Sequence, residues 1–165
     1  MIEREITLRD AVPEDVEFLA RLYYDVRSQE TGAWGWPPEQ QELFLGMQFD
    51  AQCRSYRAGF PDATDRIICL DTAAIGRMLT AQNATAMRLI DIALLGVYRN
   101  RGIGTMLLRQ LLQECERQGR ALRLQVLQGN RAIQLYQRLG FVQASADPMY
   151  AQMEWTASAR MLERL

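Results

Sequence analysis

The segment with the clearest chemical character is Leu94–Thr105, which reads LLGVYRNRGIGT. An apolar strand pattern ends there, a short basic loop follows, and a helical pattern then begins. Gly102 and Gly104 let the backbone approach a ligand closely, and the free N–H groups in the first turn of a helix suit a phosphate. Arg99 and Arg101 add positive charge at the same place. The spacing therefore predicts a site for a phosphate or pyrophosphate group.

Known phosphate-binding loops differ in what surrounds their glycines. The segment does not match a dinucleotide-binding loop, because Leu107 stands where that motif needs a third glycine. The motif also needs an acid at the end of the following strand, and the strand at 122–127 has none. The segment cannot be a P-loop either, because that motif needs a lysine and all 19 basic residues of the chain are arginines. The chain also has no histidine, which excludes Ser-His-Asp and Cys-His catalysis and the HExxH zinc site. The pattern that remains is Arg-x-x-Gly-x-Gly, over Arg99–Gly104.

Hydrophobic periodicity predicts the elements that must position this loop. Their order is β-α-α-β-β-β-α-β-α-β-β, which indicates an α/β domain with a mixed sheet. The expected strands are 3–11, 66–70, 74–80, 86–95, 122–126, 141–145 and 149–156. The expected helices begin at Pro13 and Glu39, cover 102–118, and begin again at Asn130. A length of 165 residues fits one domain, 1–157, followed by a short tail, 158–165.

Composition narrows the class of partner. A net charge of −1 argues against a nucleic-acid partner. No apolar run approaches the ~20 residues of a membrane span, and the charged N-terminus lacks the apolar region of a signal peptide. Cys53, Cys69 and Cys115 are far apart and have no metal-binding spacing. We expect a cytoplasmic protein with no membrane, nucleic-acid or metal partner.

The Arg99–Gly104 pattern resembles the acyl-CoA-binding signature of the GCN5-related N-acetyltransferase (GNAT) superfamily, Gln/Arg-x-x-Gly-x-Gly/Ala. Residues 130–141 (NRAIQLYQRLGF) look like the second signature of that family, and residues 7–15 look like its usual opening. The resemblance covers residues 5–155. It implies a single-domain α/β (α+β) GNAT fold, with helices on both faces of a mixed, mostly antiparallel sheet of about seven strands.

The resemblance also implies a role for each matched residue, with acetyl-CoA as the acyl donor. The backbone of Ile92, Ala93 and Leu94 would pair with the pantetheine arm, and an N–H there would polarise the thioester carbonyl. The pyrophosphate would lie on Arg99, Asn100, Arg101, Gly102, Ile103, Gly104 and Thr105. Asn130 would hydrogen-bond the cofactor, and Tyr136 would protonate the leaving thiolate.

These roles have plainer alternatives. Gly102 and Gly104 could form only a tight turn. Tyr136 shares a helical stripe with apolar residues, so it could be a packed core side chain. Asn130 could be a helix cap, with or without a ligand role.

The general base is the least defined part of the predicted site. Some relatives carry a glutamate where this sequence has Gln125, and an amide cannot act as a base. Asp91, beside the expected thioester strand, is the nearest carboxylate candidate. Alternatively, Asp91 could pair with Arg88 or lie outside the site. A chain of water molecules, or an amine that arrives neutral, would need no protein base.

Aromatic residues indicate where an acceptor could bind, between the first two helices and the late strands. The candidates are Tyr24, Trp34 and Trp36, and the alternative is that such aromatics form ordinary core. The acceptor would be a small-molecule or peptide amine. The late strands, including Met149–Trp155, could pair across a two-fold axis to give a homodimer.

Together these features predict an enzyme that transfers an acetyl group from acetyl-CoA to a primary amine by direct attack. A catalytically degenerate acyl-CoA-binding protein is one alternative, favoured by Gln125 and by the lack of histidine and lysine. An enzyme that acetylates aminoacyl-tRNA is another, and the near-neutral charge argues against it.

Overall fold

The computed structural model describes residues 4–32 and 34–157, so the predicted tail at 158–165 lies outside the described residues. The strands are β1 (Ile6–Asp10), β2 (Thr64–Leu70), β3 (Ala73–Gln82), β4 (Ala86–Leu94), β5 (Ala121–Leu127), β6 (Val142–Ala146) and β7 (Tyr150–Trp155). The helices are α1 (Val16–Gly32), α2 (Pro38–Gly59), α3 (Ile103–Gln118) and α4 (Ala132–Arg138), with single-turn helices at Pro13–Asp15 and Gly96–Tyr98.

The strands form one mixed sheet in the order β1-β2-β3-β4-β5-β7-β6. The pairs β1–β2, β5–β7 and β6–β7 are antiparallel, and β4–β5 is parallel. The predicted order of strands and helices is confirmed, as is the mixed α/β sheet of seven strands. None of the helices in the described ranges is long and apolar enough to cross a lipid bilayer.

The chain divides into two compact units. The first comprises residues 4–32, 34–79 and 91–103, with β1, β2, most of β3, the end of β4, and both α1 and α2. Its buried side chains are Leu22, Leu45, Phe49, Ile67, Ile68, Cys69, Ile75, Met78 and Leu79. The first helix does not begin at Pro13 as predicted. Residues Pro13–Asp15 form a separate turn, in which Asp15 accepts a hydrogen bond from the Val12 N–H at 2.8 Å, and α1 begins at Val16.

The second unit comprises residues 80–90 and 104–157. Within it, the first half of β4 pairs with β5, and β5 pairs with β7 over Leu122–Leu127. The predicted apolar stripe of α3 is buried at Leu107, Leu108, Leu111, Leu112 and Cys115. Alternate residues of β5 and β7 are also buried, as expected for strands with one face on a core.

Candidate active site

Within the described ranges, the loop between β4 and α3 has unusual backbone angles and several backbone N–H groups without hydrogen-bond acceptors. Asn100 and Gly102 both have positive φ, 60° and 80°, and the left-handed conformation at residue 102 favours glycine. A Cβ added at Gly102 would meet no atom within 4 Å. In the described part of the chain, the backbone N–H groups of residues 100–103 have no hydrogen-bond acceptor. The loop therefore presents unpaired N–H groups to open space, which suits an anion.

The two loop arginines differ in what their side chains contact. Arg99 donates from Nε to the Leu94 carbonyl oxygen at 3.0 Å, and its Nη2 lies 3.5 Å from Asp25 Oδ2. The Arg101 guanidinium lies over the Tyr98 ring, 5.7 Å from its centroid. Part of the charge of Arg99 is thus compensated inside the protein, and its side chain helps to fix the loop.

Asp25 on α1 is the residue of this region that the sequence did not reveal. Its Oδ2 accepts a hydrogen bond from the Gly96 N–H at 2.7 Å, in addition to its contact with Arg99. Nothing in the periodicity of α1 distinguishes this acid from its half-buried neighbours. Its partners lie more than 70 residues along the chain, so no local pattern could have found it.

The backbone at Ile92–Leu94, predicted to hold the pantetheine arm, packs closely against β3. A Cβ added at Gly76 would overlap the carbonyl oxygen of Ala93 and would lie 2.8 Å from Leu94 Cδ2. Leu95 donates its N–H to the Ile75 carbonyl at 2.9 Å. Only a glycine at position 76 lets β3 lie this near to the end of β4.

Asp91 lines a small cavity of about 40 Å³ next to Ala93. That volume is enough for a water molecule or an amino group. Tyr23, Arg27 and Arg77 line the same cavity, which we call the Asp91 chamber. Burial raises the pKa of Asp91, and the charges of Arg77 and Arg27 oppose that rise.

Arg77 is itself buried and held by two hydrogen bonds. Its Nε and Nη2 donate to the two carboxylate oxygens of Asp65 at 2.9 and 2.8 Å. The guanidinium lies 5.8 Å from the centroid of the Tyr56 ring. Burial, followed by the nearby Asp91 charge, raises the pKa of Tyr56 to about 12, so Tyr56 stays protonated at neutral pH. Arg77 could not be identified from the sequence, because it stands there as one residue of an apolar strand pattern.

Gln125 on β5 offers no carboxylate, as expected from the sequence. Its Oε1 accepts a hydrogen bond from Gln152 Nε2 at 2.9 Å. Among the positions considered for a general base, Asp91 is therefore the one with a carboxyl group in a cavity.

Tyr136 and Asn130 belong to the second unit. Tyr136 is buried, and its ring centroid lies 5.5 Å from that of Phe141. Asn130 Oδ1 accepts a hydrogen bond from the Ala132 N–H at 2.9 Å, at the start of α4. Both side chains therefore have the packing and capping contacts that the plainer alternatives described, and neither contact excludes a ligand role.

Trp34 and Trp36 form an exposed cluster with Phe44 between α1 and α2. The ring centroids are 5.1 to 6.2 Å apart, with edge-to-face contacts. Trp34 is 55% exposed and Trp36 is 37% exposed, so neither is core. The third predicted acceptor residue, Tyr24, is half-buried. None of the three lines the Asp91 chamber.

Comparison with known proteins shows which family the residues of this site resemble. The sequence model of the family described as Acetyltransferase (GNAT) domain matches residues 64–143, which include Asp91, the 99–105 loop, Asn130 and Tyr136. Residues 64–143 therefore carry the sequence pattern of a GNAT acetyltransferase domain. GNAT proteins are acyltransferases, and the family supports acetyl transfer as the general reaction. No curated protein sequence matches the chain.

Solved GNAT structures share the fold over nearly the whole chain. PaiA N-acetyltransferase from Thermoplasma acidophilum, in complex with coenzyme A, is 21% identical with a TM-score of 0.68, over 92% of this chain and 99% of that one. An acetyltransferase from Thermus thermophilus is 16% identical with a TM-score of 0.66, over 92% and 96%. The ribosomal-protein-S18-alanine N-acetyltransferase from Escherichia coli is 19% identical with a TM-score of 0.60, over 92% and 94%.

Proposed function

We propose that this GNAT protein transfers the acetyl group of acetyl-CoA to a primary amine by direct attack. The observation that carries the proposal is that Asp91 and Ala93 line one chamber. A base and the strand expected to hold the thioester are thus side by side in the same unit. The free cysteines Cys53, Cys69 and Cys115 are compatible with a reducing cytoplasm, where we propose that the protein acts.

The residues present fit a CoA donor. The unpaired N–H groups of residues 100–103, together with the first turn of α3 at Gly104 and Thr105, would bind the pyrophosphate. The end of β4 would pair with the pantetheine arm, and Asn130 would bind the cofactor through its remaining polar groups. When bound, acetyl-CoA would supply a thioester carbonyl that is open to nucleophilic attack.

The residues of the chain would do the proton chemistry. Asp91 would take a proton from the acceptor ammonium, so that the nitrogen can bond to the acetyl carbon. Arg27 and Arg77 would limit the rise in the pKa of Asp91 and keep part of it ionised. A β4 backbone N–H would stabilise the negative charge that develops on the carbonyl oxygen when the amine attacks, before the C–S bond breaks. Tyr136 would donate the proton that releases CoA as the free thiol.

Thermal melting with ligands tests the cofactor and the acceptor in one design. A ligand that binds only the folded protein raises the melting temperature by mass action. We expect acetyl-CoA and CoA each to raise it, and one class of amine to raise it further when CoA is present. No rise at saturating acetyl-CoA or CoA would refute the cofactor assignment at 99–105.

A second candidate function is acyl-CoA binding without transfer, favoured by the Gln125–Gln152 amide pair at a position where some relatives carry an acid. This candidate predicts stabilisation by acetyl-CoA but no thioester loss with any amine. Amine-dependent release of free CoA thiol would exclude it.

A further inference from the structure

A much larger cavity lies in the same unit as the Asp91 chamber. Its volume is about 700 Å³, and it is bounded by the β1–α1 turn, the second half of α2, and strands β2 and β3. Ligand pockets commonly measure roughly 300–1,000 Å³. The cavity is therefore of a size to hold a small molecule rather than a single solvent molecule.

The walls of the large cavity are mostly apolar and aromatic. Phe49, Tyr56 and Phe60 provide three rings on one side. Val12 and Val16, which also line the cavity, are 48% and 54% exposed. Exposed valines at the edge of an apolar cavity indicate a surface that a ligand, rather than the protein itself, would cover.

The charge in the large cavity is unbalanced. Arg77 and Asp65 neutralise each other through their two hydrogen bonds. Arg57, which also lines the cavity, makes no hydrogen bond or ion pair within the described ranges. The site therefore carries one uncompensated positive charge, which suits an anionic group.

The large cavity and the Asp91 chamber share three lining residues, Leu19, Phe49 and Arg77. Because the same three side chains line both, the large cavity adjoins the Asp91 chamber. The chamber itself is too small for more than the amino group.

We propose that the acceptor is an amine carried on an apolar body of aromatic size that ends in a carboxylate. The amino group would lie by Asp91, the body in the large cavity, and the carboxylate at Arg57. This inference rests on the proposed function, since it assigns the body of the acceptor that is to be acetylated. The ammonium loses two protons as its nitrogen bonds to the acetyl carbon and the C–S bond breaks: Asp91 accepts one, and the other reaches the departing thiolate, so that CoA leaves as the thiol.

A binding test independent of turnover uses Cys53. This thiol lines the large cavity and is half-exposed, whereas Cys69 and Cys115 are buried. We expect saturating para-(aminoethyl)benzoate to slow alkylation of Cys53 by iodoacetamide by about tenfold, and ethylamine to leave the rate unchanged. Arg57→Gln should abolish this protection. Arg54→Gln, one turn earlier on α2 and outside both cavities, should retain it. No protection in the wild type, or equal protection in both variants, would overturn the inference.

Steady-state kinetics then test the acceptor. We expect para-(aminoethyl)benzoate to have a lower KM than phenethylamine, and Arg57→Gln to raise the KM of para-(aminoethyl)benzoate about tenfold, which removes the difference between the two amines. Val16→Trp, which fills the mouth of the cavity, should raise KM for both aromatic amines. Met47→Trp, an exposed control on α2, should leave both KM values unchanged. If Val16→Trp leaves KM unchanged for both aromatic amines, the inference is overturned and the proposed function stands. If no amine is acetylated, the proposed function fails, and Cys53 protection alone decides what the cavity binds.

Discussion

The Asp25 carboxylate accepts a hydrogen bond from the backbone N–H of Gly96 at 2.7 Å, which ties α1 to the loop that follows β4. The same oxygen lies 3.5 Å from Arg99, whose Nε holds the Leu94 carbonyl. A Cβ at Gly96 would lie only 3.3 Å from that oxygen. One acid and one arginine thus fix the start of the loop predicted to bind pyrophosphate, and neither needs to touch the ligand to affect its binding.

Replacing Asp25 with alanine should weaken CoA binding. The substitution leaves the Gly96 N–H without its acceptor and Arg99 without its counter-charge. Since both groups are partly exposed, we expect a cost of about 1 kcal/mol, or roughly a fivefold rise in the Kd for CoA by calorimetry. Asp50→Ala on the exposed face of α2 is the matched control. An unchanged Kd with a lowered melting temperature would show that Asp25 serves only the stability of α1.

Replacing Asp91 with asparagine should remove the general base. We expect kcat to fall at least about 100-fold, with little change in CoA affinity. In the wild type, turnover should rise with pH through the pKa of Asp91, because only the ionised carboxylate accepts a proton. That pKa lies above the ordinary range of an aspartate, since burial raises it. A pH–rate profile with the same rising limb in Asp91→Asn would assign the limb to another group.

The same substitution should stabilise the fold. A carboxyl whose pKa is raised by folding binds its proton more tightly in the folded state, so stability falls as the pH rises through the two pKa values. At neutral pH the raised pKa of Asp91 therefore costs stability, and Asp91→Asn removes that cost. We expect a higher melting temperature for this variant at pH 7 and a smaller difference at pH 4. A lower melting temperature at neutral pH would mean that its contacts with Arg77 and Arg27 outweigh burial.

Tyr136→Phe should lower turnover more than cofactor affinity. Removal of the hydroxyl leaves the buried ring and its packing on Phe141 in place. We expect kcat to fall about 10- to 100-fold with an unchanged Kd for CoA, as the loss of a general acid requires. Tyr150→Phe provides a control tyrosine on β7. If Tyr136→Phe turns over an accepted amine as fast as the wild type does, Tyr136 is a packed core residue and not the general acid.

Asp15→Asn should lower the stability of the fold and should make that stability less dependent on pH in the acid range. Two hydrogen bonds from Arg9, each 2.8 Å, lower the pKa of Asp15 to about 2, and the Val12 N–H assists. A lowered pKa contributes stability that is present above the ordinary aspartate range and is lost as the pH falls from ~4 toward 2. We expect the variant to lose about 1–2 kcal/mol at pH 7 by denaturant unfolding. A loss that persists undiminished at pH 2 would contradict this role.

The sequence predicted most of the fold because its elements have strong local patterns. The stripe of α3 and the alternation of β5 need no distant partner to be recognised. The start of α1 was misplaced because the Asp15–Val12 hydrogen bond closes a separate turn, which periodicity does not register. Glycine and arginine spacing singled out the loop at 99–105, and its binding of pyrophosphate stays a prediction.

The surroundings of Asp91 could not be predicted in the same way. Arg27 lies on α1 and Arg77 on β3, so only the folded chain brings them to one chamber. Asp25 was missed for the same reason. Residues that act through partners far along the chain leave no local spacing to recognise, whereas residues that bind a ligand through their own backbone do.

The most direct test of acetyl transfer is the release of free CoA thiol from acetyl-CoA in the presence of a primary amine, with the acetylated product identified by mass. We expect amine-dependent release by the wild-type protein and a loss of at least about 100-fold in Asp91→Asn. Binding of acetyl-CoA with no release for any amine, or equal release by the two proteins, would contradict the proposed function.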